Sequence, residues 1–443
     1  MLIISPLLVF LVLGTAVPSA WSKLHFKFRG LPYFDSLPVL KSRHHSMALC
    51  CNSPAPRQVI DPMISQRQPL YFTETDIEVD AKLSTVELIL KYGFPAETHY
   101  VDTTDGYKLC MHRIPRQGAR PVLLVHGLMS SSASWVQLGP NSGLAYLLYL
   151  KGYDVWMLNT RGNIYSRDHV NRNLPDSQYW DFSYHEIGTY DLPASVDAII
   201  DKTGQQQIQY IGHSQGSTAF FVMCSERAEY AKKVSLMQSL SPTVYLRENR
   251  SPVLKFLGLF RGGFTMLIQL LGGFQVSLHT PLIQQFNKHI CSLSESTSRI
   301  CAIFEYIICG FNWHGFNQTL VPIIVGHSSQ GASAKQILHY AQQQGQMAFQ
   351  RYDYGGVLNL LRYKSLLPPL YNLSLAQSNV HLYYGAGDWL GSSKDASQLQ
   401  NFLPNCIGNT KIASDSFSHF DFTISMDVRT LVYDQVINQC ERY

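Results

Sequence analysis

The chain has 443 residues, 46% hydrophobic and only 15% charged, with a net charge of +4. This composition is that of a folded protein long enough for one domain with a sizeable insertion or for two, and no low-complexity tract or fixed-period repeat occurs, which excludes disordered and solenoid classes. The charge is uneven: residues 23–60 hold six basic residues against one acid, leaving 29 basic and 30 acidic residues beyond position 60. No basic face interleaved with aromatics follows, so no nucleic-acid partner is expected.

In chain order, Leu2 to Val17 is almost wholly apolar and gives way to the small residues Ser19, Ala20 and Ser22. That is the layout of a signal-peptide hydrophobic region, too short for a comfortable membrane span. Residues 1–22 are therefore expected to be a signal peptide, and the protein to be secreted or lysosomal. Residues 23–74 read as a basic extension or propeptide. From about Asp80, short apolar runs alternate with helical stretches, the rhythm of an α/β fold with a mostly parallel sheet. Pro121–Val125, Tyr153–Leu158, Gln207–Gly212 and Val380–Tyr384 are predicted strands, each ending in a loop rich in Gly, Asn, His or Asp. Functional residues in such sheets gather beyond the carboxyl ends of strands.

Residues 75–242 and 371–443 are thus read as two parts of one core. Residues 243–370 are read as an inserted, mainly helical cap or lid. This insertion carries ten basic and four acidic residues and the apolar run Pro252 to Val276, interrupted by Gly258 and the pairs Gly262-Gly263 and Gly272-Gly273. Three sequons, at Asn249, Asn317 and Asn372, make these asparagines candidate glycosylation sites. The nine cysteines are an odd number, so at least one is unpaired or intermolecular, and they are too sparse for a disulfide scaffold.

Gly212-His213-Ser214-Gln215-Gly216 fits a nucleophile elbow, G-x-S-x-G. The serine needs a tight strand-to-helix turn, and glycines two positions either side let neighbouring backbone pass without a Cβ clash. A predicted strand precedes it and the helix-compatible run Ser217–Tyr230 follows. A hydroxyl nucleophile requires a base, and the base an orienting acid, in the chain order Ser, Asp or Glu, His. Asp388, after a late predicted strand, and His419, 31 residues further on, occupy those places. Asp415 and Asp421 are rival acids but sit too near His419 in sequence to approach it from another strand. The oxyanion of a tetrahedral intermediate needs backbone N–H donors, for which Gln215 and Leu128 are the candidates. His126 reads as a residue that shapes the loop carrying Leu128. No metal-spaced constellation or phosphate-cradling loop occurs, so neither metal nor cofactor is expected.

Tyr92-Gly-Phe-Pro95, His126-Gly-Leu128, Gly152-Tyr-Asp-Val-Trp156, Asn159-Thr-Arg-Gly-Asn163, Tyr190-Asp-Leu-Pro193, the elbow, Gly387-Asp-Trp-Leu390 and His419-Phe-Asp-Phe422 occur in that order. With these motifs the chain resembles the acid lipases, the family of gastric and lysosomal acid lipase, from about residue 75 onward. The resemblance implies an α/β-hydrolase fold, Ser214, Asp388 and His419 as the triad, and Leu128 and Gln215 as oxyanion donors. It also implies a cap with a lid, a bridge like Cys291–Cys301 and a free thiol at Cys309. The sequence departs from the family in its longer 23–60 extension, in His-Phe-Asp where members often have His-Leu-Asp, and in extra cysteines at 50, 51, 406 and 440. The expected activity is serine-dependent hydrolysis of lipid carboxylic esters at an interface, with peripheral contact to lipid surfaces. The alternatives are an inactive lipid-binding protein on the same fold and a soluble esterase or thioesterase. Nothing in the sequence indicates an oligomeric state.

Overall fold

A computed structural model of the chain describes residues 74–259, 274–276, 309–310, 312, 315, 317–328 and 330–443. The expected signal peptide, nearly all of the basic extension, the middle of the Pro252 to Val276 run, and Cys50, Cys51, Cys291 and Cys301 lie outside the described residues.

Among the described residues, nine strands form the main sheet: β1 (Glu97–Asp102), β2 (Tyr107–Ile114), β3 (Pro121–Val125), β4 (Asp154–Leu158), β5 (Asp168–His169), β6 (Ile208–His213), β7 (Val234–Leu240), β10 (Asn379–Tyr384) and β11 (Cys406–Lys411). Two short strands, β8 (Gln275–Val276) and β9 (Ala332–Ser333), pair separately. The spatial order is β1-β2-β4-β3-β6-β7-β10-β11, with β5 against β2. The pairs β1–β2 and β2–β4 are antiparallel, and every neighbour from β4 to β11 is parallel.

The central strands are buried along their whole length because helices cover both faces, and each strand alternates between two cores. Leu123, Val125, Trp156 and Leu158 pack on one side with α2 (Leu192–Thr203) and α3 (Gln215–Glu226). Val122, Leu124, Val155 and Met157 pack on the other with α1 (Leu144–Leu150) and α6 (Asp434–Arg442). Because β7 and β10 are parallel neighbours, the chain that leaves the sheet at the carboxyl end of β7 re-enters it at the amino end of β10, on the opposite edge. That excursion includes α4 (Ala334–Gln343) and α5 (Gly356–Tyr363). Among the described residues no helix is long and apolar enough to cross a membrane.

The sequons differ in setting. Asn249 is buried and its Nδ2 donates to the Leu246 carbonyl at 2.5 Å, which leaves no room for the glycan expected there. Asn372 is exposed and Asn317 half-buried. Cys224 and Cys440 are buried thiols and Cys406 a half-buried one.

The loop after β4, Asn159 to Asn163, is held by a buried ionic cluster. The Arg161 Nε donates to Asp191 Oδ1 at 2.7 Å, and its two terminal nitrogens donate to the Asp105 carboxylate at 2.6 and 2.9 Å. The guanidinium also lies 4.0 Å from the centre of the Tyr107 ring. Burial opposes the charge, but Asp191 and Asp105 outweigh it and push the Arg161 pKa further up. Replacing one member of a buried pair strands the other without a partner. We expect Arg161→Met to cost about 3–5 kcal/mol of stability, read from the denaturant midpoint; a loss below about 1 kcal/mol, the scale of an exposed pair, would show that the cluster does not anchor the loop.

Candidate active site

β6 runs straight into α3, and the turn between them is Ser214, whose φ of 52° and ψ of −116° are a conformation few L residues adopt. The flanking glycines are there for space. A Cβ on Gly212 would lie 2.7 Å from the Gly216 carbonyl carbon, and one on Gly216 would overlap the Val125 carbonyl oxygen at the end of β3. The Ser214 N–H donates to the Leu240 carbonyl at 2.9 Å, which ties the strained residue to the end of β7.

Two late loops meet this turn. His419 Nε2 lies 2.8 Å from Ser214 Oγ, and His419 Nδ1 lies 3.0 and 3.2 Å from the two Asp388 oxygens. The carboxylate requires the proton on Nδ1, which leaves Nε2 to accept from the serine hydroxyl. Asp388 is fully buried; burial works to raise its pKa, but His419, the Ser241 hydroxyl and the Gly391 N–H outweigh this and hold it below the ordinary carboxylate range. Oδ1 also accepts the Leu390 and Gly391 N–H groups, both at 2.8 Å.

Sequence reasoning missed Ser241. Its hydroxyl donates to Asp388 Oδ2, and its oxygen lies 2.6 Å from His419 Nδ1, so it accepts a share of that proton. Ser241 has φ 53° although Pro242 follows it, a position normally steered to extended backbone. Its N–H is held by the Tyr383 carbonyl at 2.8 Å. His213 was also missed, although it lies inside the motif. Its Nε2 donates to the His419 carbonyl at 3.0 Å, and burial, with His419 next to it, pushes its pKa down to about 3. It therefore stays neutral and fixes the backbone of the His419 loop.

The loop after β3 supplies the fourth part. Thr160 N–H and Asn163 Nδ2 both point at His126 Nε2, each at 3.2 Å, so that nitrogen accepts. The proton is then on Nδ1, which donates to the Gly127 carbonyl at 2.8 Å. Burial pushes the His126 pKa down to about 4 and keeps the ring neutral. In a trans peptide the N–H points opposite to the C=O, so fixing the Gly127 carbonyl also fixes the direction of the Leu128 N–H. Gly127 itself lies against the elbow, where a Cβ would be 3.2 Å from that of Ser214. The Gln215 N–H is the first of α3, among the donors a helix leaves without an internal acceptor. Leu128, Gln215, Ser214, Asp388 and His419 thus come together from four strand ends, whereas Asp421 does not join them. Asp421 Oδ2 instead accepts the Ser418 N–H at 2.6 Å. A hydroxyl within hydrogen-bond reach of an imidazole, beside the first N–H of a helix, can attack a carbonyl carbon and stabilise the resulting oxyanion.

A family model described as alpha/beta hydrolase fold matches residues 120–423, and one described as a partial alpha/beta-hydrolase lipase region matches residues 85–139. Lipase 1 of Drosophila melanogaster is 41% identical over 366 residues, 82% of this chain and 80% of its own. Lysosomal acid lipase/cholesteryl ester hydrolase of Homo sapiens is 33% identical over 381 residues, 83% of this chain and 93% of its own. Gastric triacylglycerol lipase of Mus musculus is 33% identical over 368 residues, 81% and 91% respectively. The chain belongs to the acid lipase family. It is an α/β-hydrolase and a carboxylic ester hydrolase acting on lipid esters.

In this lipase Ser241 touches the acid and the imidazole but not the nucleophile. Ser241→Ala should lower kcat for a dissolved ester by about tenfold, the scale of one hydrogen bond to a charged group, at unchanged KM. A change confined to KM would mean that Ser241 shapes the substrate site instead. Burial raises the Asp421 pKa to about 6. A carboxyl whose folded pKa is raised binds its proton more tightly in the native state, so its contribution is complete below pH ~3.8 and disappears as pH rises through ~6. Thermal melts of Asp421→Asn should therefore gain on the native lipase between pH 4 and pH 7; a constant difference in Tm would contradict this.

Proposed function

We propose that this lipase hydrolyses triacylglycerols or sterol esters through an acyl-enzyme on Ser214. The observation that carries the reading is the single imidazole of His419, set 2.8 Å from Ser214 Oγ on one side and 3.0 Å from Asp388 on the other. Ser214 Oγ bonds to the ester carbonyl carbon as its proton passes to His419 Nε2. The N–H groups of Leu128 and Gln215 hold the oxyanion. Collapse breaks the bond to the alcohol oxygen, which takes the proton from Nε2. Water then attacks the acyl carbon, gives a proton to Nε2, and the free acid leaves as Ser214 recovers its hydrogen. Asp388 stays ionised and stabilises the imidazolium throughout. The balance of atoms requires no cofactor.

The names of the human and mouse relatives support the two ester classes. We place the acyl chains under a cap formed by residues 243–370, with a lid within Pro252 to Val276. The excursion of the chain between the neighbouring strands β7 and β10 supports that boundary. Working at a lipid surface, in a lysosomal or extracellular compartment, fits a cleaved leader over residues 1–22, a Cys291–Cys301 bridge and glycans on Asn317 or Asn372.

Ser214→Ala and His419→Ala should each remove several orders of magnitude from kcat, and Asp388→Asn somewhat less, because the three act as a unit. A fluorophosphonate should label the native chain and not Ser214→Ala. Labelling that survives this change, or Asp421→Asn proving costlier to turnover than Asp388→Asn, would sink the assignment.

A further inference from the structure

Between Tyr354 and Gly387 the sequence has no Asp or Glu, while Arg362 and Lys364 are both present and exposed. In the same stretch large apolar side chains face outward. Leu358, Leu360 and Leu361 on α5, and Leu366, Leu367 and Leu370 beyond it, are 49–74% exposed. Single exposed leucines are ordinary on a protein surface, but a run of them folded together marks an interaction site. These are folded together: the Leu366 carbonyl accepts from Asn359 Nδ2 at 3.1 Å, and its Cδ2 would meet a Cβ on Gly356 at 3.8 Å.

The outward placement is fixed by a polar anchor. Asn359 is the buried residue of α5. Besides the Leu366 bond, its Nδ2 donates to Asp353 Oδ1 at 2.6 Å and its Oδ1 accepts the Tyr354 N–H at 2.9 Å. Rotating the helix to bury its leucines would break all three bonds. The arm is closed at its base, where Arg351 N–H donates to Pro369 and Tyr371 N–H to Phe349, both at 2.9 Å. Tyr352 and Tyr354 anchor it in an apolar cluster with Val276, Ala334 and Leu338, and Met129 packs on that cluster next to Leu128. Arg362 stacks 4.1 Å over the Tyr354 ring.

We infer that this leucine-rich arm, residues 351–370, docks the lipase on a negatively charged lipid surface. The inference rests on the reading of the substrate as an interfacial lipid ester. Leucine side chains enter the acyl boundary while the flanking cations meet anionic headgroups. A twofold contact between two copies of the arm would instead bring Arg362 and Lys364 towards their own counterparts, with Asp353, already held by Asn359, as the one acid of the arm to set against them.

The test uses the full chain and vesicles of phosphatidylcholine alone or mixed with phosphatidylglycerol. Leu361→Ser/Leu367→Ser/Leu370→Ser should lower the partition coefficient in cosedimentation at least ~10-fold, from the loss of buried CH₂ groups. Arg362→Gln/Lys364→Gln should abolish most of the preference for the anionic vesicles, at about fivefold per cation. Both variants should hydrolyse a dissolved short-chain ester within about twofold of the native rate, since a change of binding surface leaves the chemical step alone. Unchanged partition of the leucine variant overturns the inference. So does a native dimer in sedimentation velocity that the leucine variant dissociates, because the patch is then a contact between copies. Failure of the native enzyme on the dissolved ester would count against the proposed catalytic reading and not against docking.

Discussion

The site depends on a staircase of backbone hydrogen bonds that crosses the carboxyl edge of the sheet. Ser214 N–H is held by Leu240 at the end of β7, Ser241 N–H by Tyr383 in β10, and Gly387 N–H by Phe417, two residues before His419. The first two loops are therefore fastened to the next strand over and the third to the loop that follows β11, in the same order as the serine, the bridging hydroxyl, the carboxylate and the imidazole. Backbone conformations such as those of Ser214 and Ser241 cost of order 1–3 kcal/mol each, and they persist only where the surroundings over-determine them. Strand pairing of β6, β7 and β10 on both sides provides that, and the glycines at 212 and 216 remove the side chains that would push the strands apart.

The same edge sorts its histidines by what faces them. His126 and His213 are buried against carbonyl oxygens, which take one ring proton, and burial pushes both well below the ordinary imidazole range. His419 alone of the three faces a carboxylate. The two neutral rings are positioned supports, one for the peptide of Leu128 and one for the backbone of His419. The third is the ring whose protonated form has a partner. This division explains how three histidines can crowd around one serine without competing for its proton.

The strands around the elbow were legible because they are buried on both faces and read as mostly apolar runs; Pro121–Val125 matches β3 residue for residue, Tyr153–Leu158 and Val380–Tyr384 differ by one residue at the start, and Gln207–Gly212 by one residue at each end. β1, β2 and β11 were not legible. β11, Cys-Ile-Gly-Asn-Thr-Lys, is a polar edge strand, and β2 carries Lys108, His112 and Arg113, the last of them paired with Asp154, which no local pattern reveals. β7 was hidden by Gln238 and Ser239; Gln238 is satisfied by the Val436 carbonyl of α6, nearly two hundred residues away. That Ser214, Asp388 and His419 would meet was legible from chain order and loop context. Ser241 was not, because a serine before a proline at a strand end has no local mark of its role. His213 was marked by its place between Gly212 and Ser214, but its partner is a backbone carbonyl, which sequence cannot display.

Polar anchoring also explains how parts far from the serine can be kept in register with it. Lys335, at the start of α4, donates to Asp181 Oδ1 at 2.8 Å and to the Tyr354 hydroxyl at 2.7 Å. His339, one turn on, lies flat on Tyr184 at 3.9 Å and shares its nitrogens with Ser183 and the Gln350 carbonyl. Glu186, half-buried beside them, is pushed by burial towards a higher pKa but held down at about 2 chiefly by Lys335. Apolar contacts alone would let α4 slide over the core, since they have no preferred direction. Directional bonds between buried groups do not allow this, and breaking any one leaves a buried charge or donor unpaired. The leucine arm continues from this same cluster through Tyr352 and Tyr354. Its outer face can therefore carry a run of exposed leucines without loosening the machinery beneath, because the rigidity comes from Asn359, Lys335 and His339 and not from the leucines.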